Sequence, residues 1–287
     1  VPGGLASDGT DSRSGLEEIG VNLGADIDVD TGVVTLPYDR FRITNVESDI
    51  LWTARSGAVA ASARNSGLTW TGWDLRGGDY SASHIWHVFG PWRQQDAEKF
   101  GFMVPMSDAG LMARGLIPKS EGYTEPTTPN TQLSQAQIDE VGSTCSSDPQ
   151  AMEFAEEELL VSSPWLDAIY EVDDAINQDP RSLKVFDALA QCYSGQGMTF
   201  DEDSPGYVIG ADQEKISEDQ ITMALKVADC QNQVDSTRRL ADIWADLQAP
   251  IITKYASELA AGRETIDEAV SNAETFISTH AELYVDQ

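Results

Sequence analysis

From about residue 44 to the C-terminus, apolar residues recur at helical spacing, and only one earlier stretch alternates. Between Ala25 and Leu36, apolar and polar residues alternate on both sides of Asp30, Thr31 and Gly32, which predicts a short β-hairpin. The first helix is predicted to start at a capping box, Thr44 to Glu47, where each side chain satisfies a free backbone donor. Val46, Ile50, Leu51, Ala54, Ala58 and Val59 follow as its apolar stripe, and Gly67 ends it. Next comes an aromatic, glycine-broken segment from Leu68 to Gly90, then a short helix from about Trp92 to Phe100. Asp148 with Pro149, and Asp179 with Pro180, each place a capping carboxylate before a proline suited to the first helical turn. Ser217 to Gln220 predicts another capping box, opening one long helix through Ile221, Leu225, Ala228, Leu240, Trp244 and Leu247 that Pro250 should kink or break. A last helix from about Thr265 is predicted to bury Ala269, Val270, Ala273, Phe276, Ile277 and Leu283.

These elements describe a mainly α protein, a helical bundle-like domain with a small N-terminal β-hairpin and long irregular connections. Residues 1–18 are rich in Gly, Ser and Asp and suggest a flexible leader. Residues 19–114 carry the hairpin, the first helix and the aromatic segment. The Pro-, Thr- and Ser-rich stretch 115–148 reads as a polar linker or loop with a short helix near Ser134–Val141. Residues 149–287 form a C-terminal helical region expected to pack with the N-terminal part as one unit. One pattern occurs twice: residues 62–70 and 192–200 both run from a helix into a glycine, then an apolar residue, a threonine and an aromatic. The pattern suggests either related half-domains or the common ending in which glycine takes a left-handed conformation.

Composition narrows the function. The 287 residues hold 48 acidic against 18 basic side chains, a formal charge of −30. Nucleic-acid binding needs Lys and Arg to displace counterions from phosphates, and no basic stripe exists here. The charge instead favours solubility and attraction of cations or a basic partner. No run approaches the roughly 20 apolar residues of a membrane span. The chain opens Val1, Pro2, Gly3 without Met, as it would after loss of an export signal, and a lipid anchor on the precursor fits that expectation.

Cys192 and Cys230 fall in helical patterns that could lie side by side and would pair in an oxidising compartment; in a reducing one all three cysteines stay thiols. Cys145 sits in a small-residue loop, free or linked to something outside the chain. The run Ala190 to Phe200, with Cys192, Gly197 and Phe200, followed by Ala228, Asp229 and Cys230, resembles the motifs of an uncharacterised family of secreted proteins and lipoproteins from actinobacteria. Val34 to Asp39 and Lys99 to Phe102 are similar to that family's N-terminal half. The resemblance covers roughly residues 34–262. Tyr193 stands where the family often has Met, and Ser62 where a cysteine is frequent. It implies a location in the cell envelope or outside the cell and a disulfide, and no activity.

No catalytic signature is present: no Gly-x-Ser-x-Gly elbow, Walker loop, HExxH or CxxC. His84 and His87 would share a helical face, but two ligands do not make a metal site, and packing in the tryptophan-rich segment explains them better. Asp26, Asp28 and Asp30 alternate, which puts three carboxylates on one side of a strand where calcium could bind. Thr31 and Pro37 stand where an EF-hand loop needs Gly and Glu, so a solvated hairpin face is the better reading. Trp70, Trp73, Trp86 and Trp92 could stack on the sugar rings of a cell-wall glycan, or form the core of an irregular segment. The expectation is a non-catalytic binding, scaffold or assembly module of the envelope, with a protein partner or self-assembly and no resident cofactor. The alternative is a glycan or peptide hydrolase using an unrecognised carboxylate pair.

Overall fold

A computed structural model describes residues 22–77, 89–123, 129–159 and 164–284. The protein is mainly helical with one small hairpin, as the hydrophobic periodicity predicts. Strand β1 (Asp26–Ile27) pairs antiparallel with β2 (Val34–Thr35), Asp26 opposite Thr35 and Ile27 opposite Val34. The helices among the described residues are α1 (Asn45–Asn65), α2 (Gln94–Phe100), α3 (Asp108–Ala113), α4 (Gln135–Thr144), α5 (Pro149–Met152) and α6 (Glu156–Leu159). They continue as α7 (Pro164–Ala175), α8 (Pro180–Gly195), α9 (Glu218–Val234), α10 (Ser236–Lys254) and α11 (Ala256–Thr279). Two compact units result, each assembled from three separate stretches of chain. One is drawn from the described parts of Val1–Arg40, Ser81–Ser120 and Pro164–Ala256, the other from those of Phe41–Tyr80, Glu121–Ser163 and Ser257–Gln287.

In the first unit α9 packs on α2 and α8, while α10 packs on α7, α8 and a 3-10 turn at Pro37–Arg40. Asp179 caps α8 by accepting the Arg181 N–H at 2.7 Å, with Pro180 in the first turn where its missing donor costs nothing. Cys192 of α8 and Cys230 of α9 form a disulfide with a Cα–Cα distance of 5.7 Å. Around it lies a core that includes Leu189, Tyr193, Phe102, Tyr207, Val227 and Trp244. Burial pushes the phenols of Tyr193 and Tyr207 well above the usual tyrosine range, so both stay neutral. Trp244 satisfies its indole N–H by donating to Asp173 at 2.9 Å.

In the second unit Thr44 and Glu47 form the predicted capping box at the start of α1. Glu47 also receives Arg263 at 2.8 Å, which tethers the start of α1 to α11. The buried face of α1, with Leu51, Ala54 and Ala58, meets a cluster that includes Phe154, Ala273 and Phe276. Cys145 is a free thiol, buried with Ala63 and Val141.

Five local expectations are corrected. The long helix predicted from Ser217 breaks at Asp235, whose φ of 54° and ψ of 41° place it in the left-handed region that Asp tolerates better than most residues. Pro250, expected to kink or break the helix, does not end it: it sits inside α10 on an exposed surface, where water can solvate the carbonyl it leaves unpaired. Ser217 caps α9 through the Gln220 N–H, but the reciprocal half of the box is absent. The Gln220 side chain serves Asp212 N–H and Gly210 carbonyl instead. The last helix starts at Ala256, nine residues before Thr265, and Val46 of the predicted apolar stripe is half exposed.

The repeated pattern is one backbone motif used twice. Gly67 and Gly197 have φ of 81° and 76°. The following Leu68 and Met198 donate their N–H back to Ala63 and Tyr193 at 2.9 and 2.8 Å, the bond of a Schellman ending. One copy lies in each unit.

Candidate functional site

Beyond its Schellman ending α1 hands the chain to an extended segment, Trp70–Leu75, and the second unit holds this segment by side-chain hydrogen bonds rather than by a sheet. Arg64 Nε donates to the Trp70 carbonyl at 2.9 Å. Asn130 Oδ1 accepts the Thr71 N–H at 2.9 Å while its Nδ2 donates to the Thr71 carbonyl at 2.8 Å. The Gly72 N–H donates to the Leu283 carbonyl at 2.8 Å. Ser56 Oγ accepts the Trp73 N–H at 2.7 Å, and Thr53 Oγ1 accepts the Leu75 N–H at 2.9 Å. Thr53, Thr71 and Asn130 are themselves buried, so each of their polar atoms would be costly to leave unpaired. Asn130 reaches Thr71 from a backbone with φ of 69°, a left-handed conformation that suits Asn better than most residues.

Close packing sets the same segment against α1. A methyl group on Gly57 would lie 2.2 Å from the Tyr284 hydroxyl, and one on Gly72 would lie 3.1 Å from the Gly57 Cα. Tyr284 donates to the Thr53 carbonyl at 3.0 Å. Burial first, and the Asp74 charge after it, push its phenol well above the usual tyrosine range.

This frame presents an aromatic cleft. Trp52, Trp70, Trp73 and Leu75 supply its apolar lining and Arg55, Ser56 and Ser146 its polar part, around a volume of about 350 Å³. That lies within the range of sites that take small organic ligands. On α1 the contributing residues Trp52, Arg55, Ser56 and Val59 fall three and four apart, on one helix face. Trp52 and Trp73 remain 49% and 43% exposed, unusual for side chains of this size.

Charges around the cleft are paired. Arg55 binds Glu157 at 2.9 Å and lies 5.5 Å from the centroid of the Trp52 ring, within cation–π range. Its own backbone N–H, together with Arg55, holds Glu157 below the usual carboxylate range. Beyond Trp73, Arg76 forks onto Asp74 at 2.8 and 2.6 Å, and that bond holds the Asp74 carboxyl down. Both acids are thus kept ionised.

Of the tryptophans singled out from the sequence, the structure brings Trp70 and Trp73 together. Trp92 is only 9% exposed and belongs to the core of the first unit. Trp86, like His84 and His87, lies outside the described residues. Trp52 and Arg55 were missed, although a signal existed: Trp52 lies just off the apolar stripe of α1, with Arg55, Ser56 and Val59 on the same face.

The aspartates of the hairpin serve its turn. Asp28 accepts the N–H groups of Asp30 and Thr31 at 2.9 and 3.1 Å, and its bond with the Thr31 hydroxyl chiefly holds its carboxyl low. Arg93 binds the Asp30 carbonyl and forks onto Asp96, placing a cation beside the turn. Asp26, Asp28 and Asp30 do not converge: among the described residues no group of three or more His, Cys, Asp or Glu is arranged to hold a metal ion. No described helix is long and apolar enough to cross a membrane.

Compared with known protein families, with curated proteins and with solved structures, the chain matches none, so its function is argued from the geometry of this cleft.

Proposed function

We propose that this chain is a non-catalytic binding module of the cell envelope or exterior, and that the tryptophan cleft of the second unit is its contact site. The observation that carries the reading is the framed segment Trp70–Leu75. Buried Asn130 and Thr53 hold, at Thr71 and Leu75, a backbone whose outward product is exposed indole surface. The exposed half of each indole gains nothing for the fold, whereas a rigid aromatic surface binds with little loss of side-chain entropy. Glu157, bonded to Arg55 of the cleft, and Asp74, between Trp73 and Leu75, are both held ionised, which suits contact better than proton donation. A location outside the cytoplasm is supported by the disulfide and by the resemblance to secreted actinobacterial proteins.

Co-sedimentation with washed insoluble actinobacterial cell walls tests the reading. The protein is expected in the pellet, and the double variant Trp52→Ala, Trp73→Ala in the supernatant. Equal sedimentation of both, or release of soluble wall fragments by the purified protein, would overturn it.

A further inference from the structure

We infer that the ligand of the cleft is a neutral carbohydrate, held by its C–H faces on the tryptophans and by its hydroxyls on the Arg55–Glu157 pair; the inference rests on the cleft being the contact site. The chemistry of the lining discriminates among ligand classes. An anion needs an uncompensated positive charge, but Arg55 is already neutralised by Glu157 at 2.9 Å, and the chain carries a net charge of −30. A cation entering the cleft would meet the Arg55 guanidinium, which already lies over Trp52 and would repel a second positive group there. A purely apolar ligand would strip water from the Arg55–Glu157 pair and from the hydroxyls of Ser56 and Ser146 without replacing the hydrogen bonds that water makes to them.

A sugar ring meets all three conditions. It is uncharged, it presents an apolar C–H face to an indole, and its edge is a row of hydroxyls that both donate and accept. The ion pair offers guanidinium donors and carboxylate acceptors side by side, so a hydroxyl pair can bind both without separating them. The volume of about 350 Å³ bounds the contact to a short oligosaccharide stretch rather than a long groove.

The test is a tryptophan-fluorescence titration of the full chain with four probes: the N-acetylglucosamine trimer, cellotriose, trigalacturonate and the apolar dye Nile red. The expected result is saturable binding of a neutral trisaccharide, insensitive to salt. Binding should weaken by about tenfold or more in Trp52→Ala and Trp73→Ala, as at an aromatic hot spot. Trp73→Phe keeps a ring and should retain part of the affinity, and a thermal melt of each variant establishes that it is folded. Tighter binding of trigalacturonate, or of Nile red, at the same tryptophans would overturn the carbohydrate inference and leave the contact site standing. Failure of all four probes, together with unchanged wall sedimentation by the double variant, would remove both.

Discussion

Tryptophan is used in opposite ways in the two units. In the first, Trp244 is 5% exposed, packs in a continuous core and satisfies its N–H on Asp173. In the second, Trp52 and Trp73 stay about half exposed, and Ser56 and Thr53 hold the backbone that carries Trp73. The first unit also has a covalent bridge between α8 and α9, whereas the second keeps its cysteine as a buried thiol. The contrast teaches where stability and contact reside: one unit uses its large side chains to hold itself together, and the other holds itself together in order to display them.

The comparison breaks first at the tryptophans. Trp244→Ala is expected to cost about 3–5 kcal/mol, because it empties a packed site and removes a hydrogen bond to Asp173, whereas Trp52→Ala, half exposed, should cost about 1 kcal/mol. Urea unfolding of the two variants checks this, and similar losses in both would erase the distinction. Next is the bridge. Cys192 and Cys230 are 38 residues apart, and a loop of that size predicts about 3–4 kcal/mol of stabilisation. The Cys192→Ser, Cys230→Ser double variant should therefore melt well below the parent, as should the parent under reductant.

A smaller effect is expected at Gly57, where a methyl group would collide with the Tyr284 hydroxyl. Gly57→Ala should destabilise by about 1–3 kcal/mol and shift the emission of the cleft tryptophans. Adding Tyr284→Phe should recover part of the loss, and a strictly additive double variant would disprove the contact. The smallest effect is acidic. The Asp74 carboxyl titrates below its ordinary value of 3.8 because Arg76 bonds its charged form. A depressed folded pKa means that its contribution is full above that value and is lost as pH falls through the folded pKa. Asp74→Asn should flatten this portion of the acid-stability profile by only a few tenths of a kcal/mol, since both partners are nearly half exposed and screened by water.

Much of the helical scaffold was legible along the chain because its signals are local. The capping pairs Thr44–Glu47, Asp148–Gln150 and Asp179–Arg181 each act within three residues, so their chemistry is visible without the fold. Both glycine endings were legible for the same reason. Where the reading failed, a local rule was outweighed. Pro250 is tolerated because its unpaired carbonyl faces solvent, and the break falls instead at Asp235, which marks no strong signal in the sequence. The cleft was half legible: Trp70 and Trp73 stood out in an aromatic segment, but Trp92, only nineteen residues beyond Trp73, belongs to the other unit's core.

By itself the sequence determined the helical class, the hairpin and the positions of the main caps, because periodicity and capping depend on residues a few places apart; for Cys192 and Cys230 it left a disulfide and free thiols both open. Tertiary structure alone decided that three separated stretches build each unit, and that Trp52 joins Trp70 and Trp73. The bonds that fix this cleft join Ser56 to Trp73, Thr53 to Leu75 and Asn130 to Thr71, 17, 22 and 59 residues apart. Ser, Thr and Asn are common and can each bond many partners, so nothing in their local context selects these pairings; only the assembled chain does.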